Sequence, residues 1–297
     1  MISETNLIDD TINFKSTIEE ILKANKKQQI NIMWSGGCDS TLLLYWIMDW
    51  MKTLNDDRVI NAWTFTHDQL NNNKLTWERQ KRNRFMIWAE DKGFKNKILN
   101  REVILPRETI SIGDNACCQP AIWTSNVIPV IERDSILFAG YHRGDDFFGY
   151  SIYKNWMNLF ISLNGLYGKA VKFYTPLTGH TKVDIIKYIK DINGLYENTW
   201  WCESVWDNGK QCGTCLPCKT HESALLYYEK HHNDTTKLIG ETCIKEPTQD
   251  ELKQAELKKV EDSKKADELT DIEIGKAIDT IRKDPELAEM VAKATTP

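Results

Sequence analysis

The sequence predicts an α/β protein, a Rossmann-like parallel sheet with helices on both faces. Three observations predict it. Strand-like and helix-like segments alternate from Gln29 to Lys190, the pattern that builds parallel strands with crossover helices. The first strong strand runs directly into Ser35-Gly36-Gly37-Cys38-Asp39-Ser40 and then into a helix. The loops at Ser35, His67, Gly140 and Pro176 all follow strands, so they converge on the sheet edge where such folds hold ligands.

Each element has its own signal. Asn6 to Lys26 reads as one helix, with Leu7, Ile8, Ile12, Ile18, Ile21 and Leu22 on a broad face. Gln29 to Trp34 is a short apolar strand, and Thr41 to Leu54 a largely apolar helix. Val59 to Thr66 is the second strand. Leu75 to Lys92 is a helix stopped by Gly93. Lys97 to Ile104 is the third strand, and Gln119 to Ile131 a helix with Pro120 in its first turn. Ser135 to Gly140 is the fourth strand, Trp156 to Asn164 a helix, Val171 to Tyr174 the fifth strand, and Thr181 to Lys190 a helix. Trp200 to Cys218 breaks the pattern with glycine and cysteine, and Thr220 to Lys230 resumes as helix.

The chain therefore divides into an N-terminal helix (1–28), an α/β domain (29–198), a cysteine module with its helix (199–243) and a tail (244–297). The tail carries ten basic and fourteen acidic side chains and no aromatic, which accounts for −4 of the net charge of −5. Such a segment buries little apolar surface and is read as a solvated helix or linker, followed by a small helical end that would meet an unknown partner. The body is near neutral, so no global basic field calls for nucleic acid or an anionic membrane. There is no secretory leader and no apolar run long enough to span a bilayer, which predicts a soluble, cytoplasmic chain. The oligomeric state stays open, a homodimer included.

Ser35–Ser40 has the chemistry of an anion site. Paired glycines let backbone N–H groups point at one spot, and the following helix adds the partial positive charge of its N-terminus. Ser35 and Ser40 offer hydroxyls, and Asp39 is an acid placed to help hold Mg2+. A glycine turn with a Ser or Asp cap is the plainer reading, but it leaves most of the hexapeptide unexplained. Cys38 is either a nucleophile or a small filler, and the filler is preferred. The Gly-Lys-Ser/Thr element of a P-loop is missing.

Four of the eight cysteines form Cys202-x9-Cys212-x2-Cys215-x2-Cys218. Four thiolates at this spacing can close a tetrahedral Zn2+ site. An iron–sulfur cluster is the second reading. Cys117, Cys118 and Cys243 read as ordinary free cysteines.

The loop resembles the signature of the N-type ATP pyrophosphatases, the PP-loop superfamily with an adenine nucleotide alpha hydrolase-like fold. Loop and cysteine cluster together resemble the 7-cyano-7-deazaguanine synthase family over roughly Gln29 to Tyr228. Phe65-Thr66-His67-Asp68-Gln69 stands where that family has an aromatic-x-Gly-Gln turn. Gly140-Tyr141-His142-Arg143-Gly144-Asp145 is similar to its Gly-x-Asn-x-x-Asp stretch. Thr175-Pro176-Leu177 with Thr181-Lys182 is similar to its Pro-Leu…Ser/Thr-Lys segment. Tyr150-Ser151-Ile152-Tyr153-Lys154 departs from the family's Tyr-Pro-Asp-Cys-Arg.

The resemblance implies ATP and Mg2+ as cofactors beside Zn2+, and ammonia and a small-molecule carboxylate as partners. It implies AMP transfer to 7-carboxy-7-deazaguanine, then conversion through an amide to the nitrile. Ser35, Gly36, Gly37, Asp39 and Ser40 would hold phosphate and metal, and Lys182 would neutralise phosphate charge. Asp145 would contact metal or substrate, while His142 and His180 are read as structural. Trp63 and Phe65 are read either as walls of an adenine pocket or as core.

Overall fold

Among the described residues, six parallel strands form one sheet in the order β1-β6-β5-β2-β3-β4. The computed structural model describes residues 12–13, 16–67, 72–95, 97–105, 119–145, 152–203 and 210–231. The strands are β1 (Ile12–Asn13), β2 (Gln29–Met33), β3 (Ile60–His67), β4 (Ile98–Leu105), β5 (Ser135–Ala139) and β6 (Lys172–Tyr174). The helices are α1 (Ile18–Ala24), α2 (Cys38–Thr53), α3 (Asn72–Asp91), α4 (Gln119–Val127), α5 (Ile152–Leu166), α6 (Lys182–Asp191) and α7 (Leu216–His231). Asp68, Gln69, Cys117, Cys118, Asp146, Tyr150, Ser151 and everything after residue 231 lie outside the described residues.

Alternation along the strands sorts the helices. Ile30 and Ile32 of β2 pack on one face with Ile21 of α1, Leu42 and Ile47 of α2, Phe85 of α3 and Ile185 of α6. Met33, Leu137 and Phe173 face the other way, against Val127 of α4 and Trp156 and Phe160 of α5. Period-2 alternation is what allows one sheet to bury two layers. The buried Asn31 of β2 is satisfied: it accepts from Trp63 Nε1 at 2.9 Å and donates to the Ile136 carbonyl at 3.3 Å. Among the described residues no helix is long and apolar enough to cross a membrane.

The single helix expected over Asn6 to Lys26 is corrected. Ile12 and Asn13 pair with Phe173 and Tyr174 as an edge strand, and the helix starts only after Thr17. The Thr17 hydroxyl accepts from the Glu20 N–H at 3.3 Å, and the Glu20 carboxylate accepts from the Thr17 N–H at 2.8 Å. This capping box is a local start signal that the longer isoleucine periodicity obscures.

The topology prepares a crevice. From β2 the chain winds outward through β3 and β4, then returns to lay β5 on the other side of β2. The loops after β2 and β5 therefore part at the switch point, where doubly wound sheets bind ligands.

Candidate functional site

The loop after β2 is built from its own backbone. Gly36 has φ +86, a conformation that costs glycine little. Ser35 Oγ accepts the Gly37 N–H at 3.1 Å and shares a hydrogen bond of 3.1 Å with the Ser40 hydroxyl. Gly37 caps α2 without a side-chain hydrogen bond. The helix begins at Cys38, three residues before the expected Thr41, so Asp39 and Ser40 sit in its first turn. That end carries N–H groups without intrahelical partners and the positive end of the dipole.

Residues distant in sequence brace the loop. Arg82 on α3 is fully buried and donates to the Ser35 carbonyl at 3.2 Å and to Glu102 at 3.0 Å. The Trp200 N–H donates to the Gly36 carbonyl at 2.9 Å. Gly140, at the end of β5, lies against the start of α2. A Cβ there would come within 2.9 Å of Ser40 N and 3.0 Å of Ser40 Cα. Gly140→Ala is therefore expected to cost about 1–3 kcal/mol through a forced backbone shift. Denaturant unfolding checks this, and an unchanged midpoint would mean that α2 can move freely.

Lys182, the first residue of α6, reaches the loop. Its Nζ donates to both Asp39 oxygens, at 2.8 and 2.6 Å. Burial, the largest single influence, would raise the Asp39 carboxyl. Lys182 and His142 outweigh it, and the net shift is downward. Burial likewise opposes the charge on Lys182, but Asp39 and its neighbours carry that pKa upward. Thr181 caps α6 through a capping box with Asp184, which fixes where Lys182 leaves the helix.

The loop after β5 brings His142 and Asp145 to the same place. The Gly144 N–H donates to His142 Nδ1 at 3.1 Å, which leaves Nε2 turned to the carboxylates. That nitrogen is 3.4 Å from Asp145 Oδ1 and 3.9 Å from Asp39 Oδ1. Asp145 also accepts the His142 N–H at 2.6 Å. Burial pushes the Asp145 carboxyl up, against the His142 charge that would lower it. His142 thus lies among the carboxylates. His180 does pack structurally, against Trp46 and Tyr188.

Ser35, Gly37, Asp39, His142, Asp145 and Lys182 line one cavity of about 470 Å³. Phe65 is not among these lining residues. Its ring packs 5.6 Å from Trp123 in the core beside α4, in keeping with the second of its two readings; side-chain alternation along β3 sends it there. Trp63 is tied to Asn31 and is also absent from the lining. Cys38 is fully buried, and burial pushes its thiol up to about 11, which makes it a filler.

Cys38, Glu78 and Gly144, then Trp200, Trp201, Cys202 and Glu203, with Leu216, Pro217 and Thr220 of α7, complete the wall. Trp201 stacks on His221 with centroids 3.6 Å apart and 10° between planes. His221 is held neutral, with its pKa brought down to about 4 by burial first and Lys182 second. Behind this wall the sulfurs of Cys202, Cys212, Cys215 and Cys218 lie within 4.8 Å of one another. The Cys212 N–H points at Cys202 Sγ at 3.2 Å, and the Thr214 and Cys215 N–H groups point at Cys212 Sγ at 3.4 and 3.2 Å. Hydrogen bonds from Thr214 and Cys215 hold the Cys212 thiol down at about 5. The group has the donor set and compactness of a metal site.

Arg82, Trp200 and His221 were not among the residues expected to form the site. Arg82 had a legible signal, since with Phe85 and Ala89 it falls on the buried stripe of α3, where a cation calls for a partner.

Fold and loop define the class: a parallel α/β chain with a glycine-bearing loop at its switch point and a four-cysteine group after its last strand. Residues 149–229 match the family model of the queuosine biosynthesis protein QueC, and the resemblance to the 7-cyano-7-deazaguanine synthase family is borne out there. A 7-cyano-7-deazaguanine synthase of Prochlorococcus marinus (strain MIT 9301) is 36% identical over 73 residues, which cover 25% of this chain and 30% of that protein. The match thus spans under a third of the relative's length. Among solved structures, the U34-tRNA thiolase NcsA from Methanococcus maripaludis, with its [4Fe-4S] cluster, aligns over 74% of this chain and 73% of its own, with a TM-score of 0.38 and 12% identity.

Proposed function

We propose that the chain is an adenylating enzyme that binds ATP with Mg2+ on the Ser35–Ser40 loop and activates a small-molecule carboxylate for attack by ammonia. The observation that supports this most is the one cavity shared by the loop, the Lys182–Asp39 pair and the His142–Asp145 pair. A carboxylate is a poor electrophile, and linking it to AMP supplies a leaving group. The acceptor oxygen attacks the α-phosphorus while the bond to pyrophosphate breaks. Ammonia then adds at the carbonyl carbon and AMP departs, leaving an amide.

The chain's own residues position and neutralise. The first N–H groups of α2 and the Ser35 and Ser40 hydroxyls receive phosphate oxygens. Lys182 transfers from Asp39 to the phosphates, which frees Asp39 for Mg2+. The ion, when bound, would spread the charge of the leaving pyrophosphate. Asp145, with its carboxyl raised by burial, takes the proton released by ammonia, and His142 holds it in place.

Zinc is the metal we assign to the four cysteines. Zinc–sulfur bonds of about 2.3 Å in a tetrahedron put the sulfurs about 3.8 Å apart, compatible with a group confined within 4.8 Å. An iron–sulfur cube interposes an iron atom before each thiolate and needs wider spacing.

The relatives favour 7-carboxy-7-deazaguanine as acceptor. A second adenylation, of the amide oxygen, would then drive loss of AMP and give the nitrile. The test supplies ATP, ammonium and 7-carboxy-7-deazaguanine. AMP appearing together with amide or nitrile is expected. AMP release indifferent to the deazaguanine would move the acceptor elsewhere, and no AMP at all would overturn the adenylation reading.

A further inference from the structure

A second cavity, of about 450 Å³, lies beside the first and is lined by Trp77, Lys81, Arg84, Trp200, Lys210 and Gln211. Half of these described residues are cations and none is an acid. Arg84 and Lys210 are exposed. Lys81 is half-buried, and its Nζ donates to the Glu197 carbonyl at 2.5 Å. Burial first and the Arg84 charge second draw its pKa down. The neighbouring cations oppose one another, and an anion set between them relieves both. The Trp77 and Trp200 rings run nearly parallel, with 15° between planes and centroids 6.2 Å apart. Trp200 lines both cavities.

We propose that this second cavity binds a single strand of nucleic acid, with Lys81, Arg84 and Lys210 meeting phosphates and Trp77 stacking a base. The pairing of cations with an aromatic face carries the assignment, because strand-binding proteins combine a positive groove with stacking platforms. An acidic peptide would satisfy the cations and make no use of the tryptophan. The chain's overall negative charge is no obstacle, since the patch is local and the Debye length at physiological salt is only about 8 Å. The site shares no cation with the phosphate loop, so its occupation does not depend on the adenylation reading. Through Trp200 it lies beside the cavity where an acceptor would react.

The test is fluorescence anisotropy of a labelled 12-nucleotide single strand with the full chain, in saturating ATP and Mg2+. Three phosphate contacts predict a log–log salt slope of about −2. Arg84→Gln combined with Lys210→Gln is expected to weaken binding about tenfold or more and to flatten the slope by about 1.4. Trp77→Leu is expected to weaken it about 5- to 150-fold, with Trp77→Phe largely restoring it. Metal content and ATP binding, followed in parallel, remain unchanged in the charge variant. Failure of the wild type to bind the strand, or a charge variant with wild-type affinity and slope, overturns the proposal. So does displacement of the strand by polyglutamate equally well, which reassigns the patch to an acidic protein segment. A failed adenylation reading shows separately, as absent AMP release from the same preparation.

Discussion

Lys182→Met is expected to lower AMP formation by about 10²–10³-fold, the usual loss when one preorganised charge-stabilising donor is removed. It should also lower stability by about 3 kcal/mol, because the Asp39 carboxylate loses its partner in a largely enclosed site. Arginine at this position would restore charge but not the compact reach of an ammonium, so Lys182→Arg should recover stability better than rate. Steady-state AMP release and denaturant unfolding separate the two effects. An active Lys182→Met variant would remove Lys182 from the mechanism. The pair also has a pH signature. Asp39 is lowered from 3.8, so its contribution is present above that value and fades as pH falls through the folded pKa. Lys182 is raised from 10.5, so its contribution is present below that value and fades as pH rises through the folded pKa. Wild-type stability attributable to the pair should therefore stay flat between these limits, and Lys182→Met should remove both edges.

Stripping the metal from the four cysteines is expected to have the largest effect on stability. Binding at such a site is coupled to folding of the segment that supplies its ligands, and thiolates must be held together against their own repulsion. Chelator-treated protein, or Cys215→Ser, should lose several kcal/mol. That corresponds to a melting temperature lower by on the order of 10 °C for a body of this size. Wild-type protein should contain about one zinc ion per chain. Iron with sulfide, or no metal, would overturn the zinc assignment. The loss should reach the phosphate loop, because Trp200, two residues before Cys202, donates its N–H to Gly36.

The architecture and two of its residue clusters were legible in the residue order. Strand–helix alternation predicts a two-layered parallel sheet, because period-2 and period-3.6 apolar patterns are local properties of each segment. The glycine-bearing junction after β2 and the cysteine spacing are local too, so Ser35 to Ser40 and Cys202 to Cys218 could be singled out directly. Short edge pairing could not. Ile12 and Asn13 form a strand only because β6 offers a partner, and nothing in two residues announces it. Nor could the brace of the loop be read. Arg82, Gly140 and Trp200 lie far apart in the chain, and what joins them to Ser35, Gly36 and Ser40 is close approach in space. Phe65 illustrates the same limit: the sequence left it between pocket wall and core, and its direction was set by which face of β3 the sheet buries. Lys182 stands out in the sequence through the resemblance of Thr181-Lys182 to the family's Ser/Thr-Lys segment. That it rests on Asp39, with His142 and Asp145 alongside, was decided by the sheet's switch point. The reason is physical: a side chain's type is local, whereas its partner and its desolvation depend on which strands the fold places side by side.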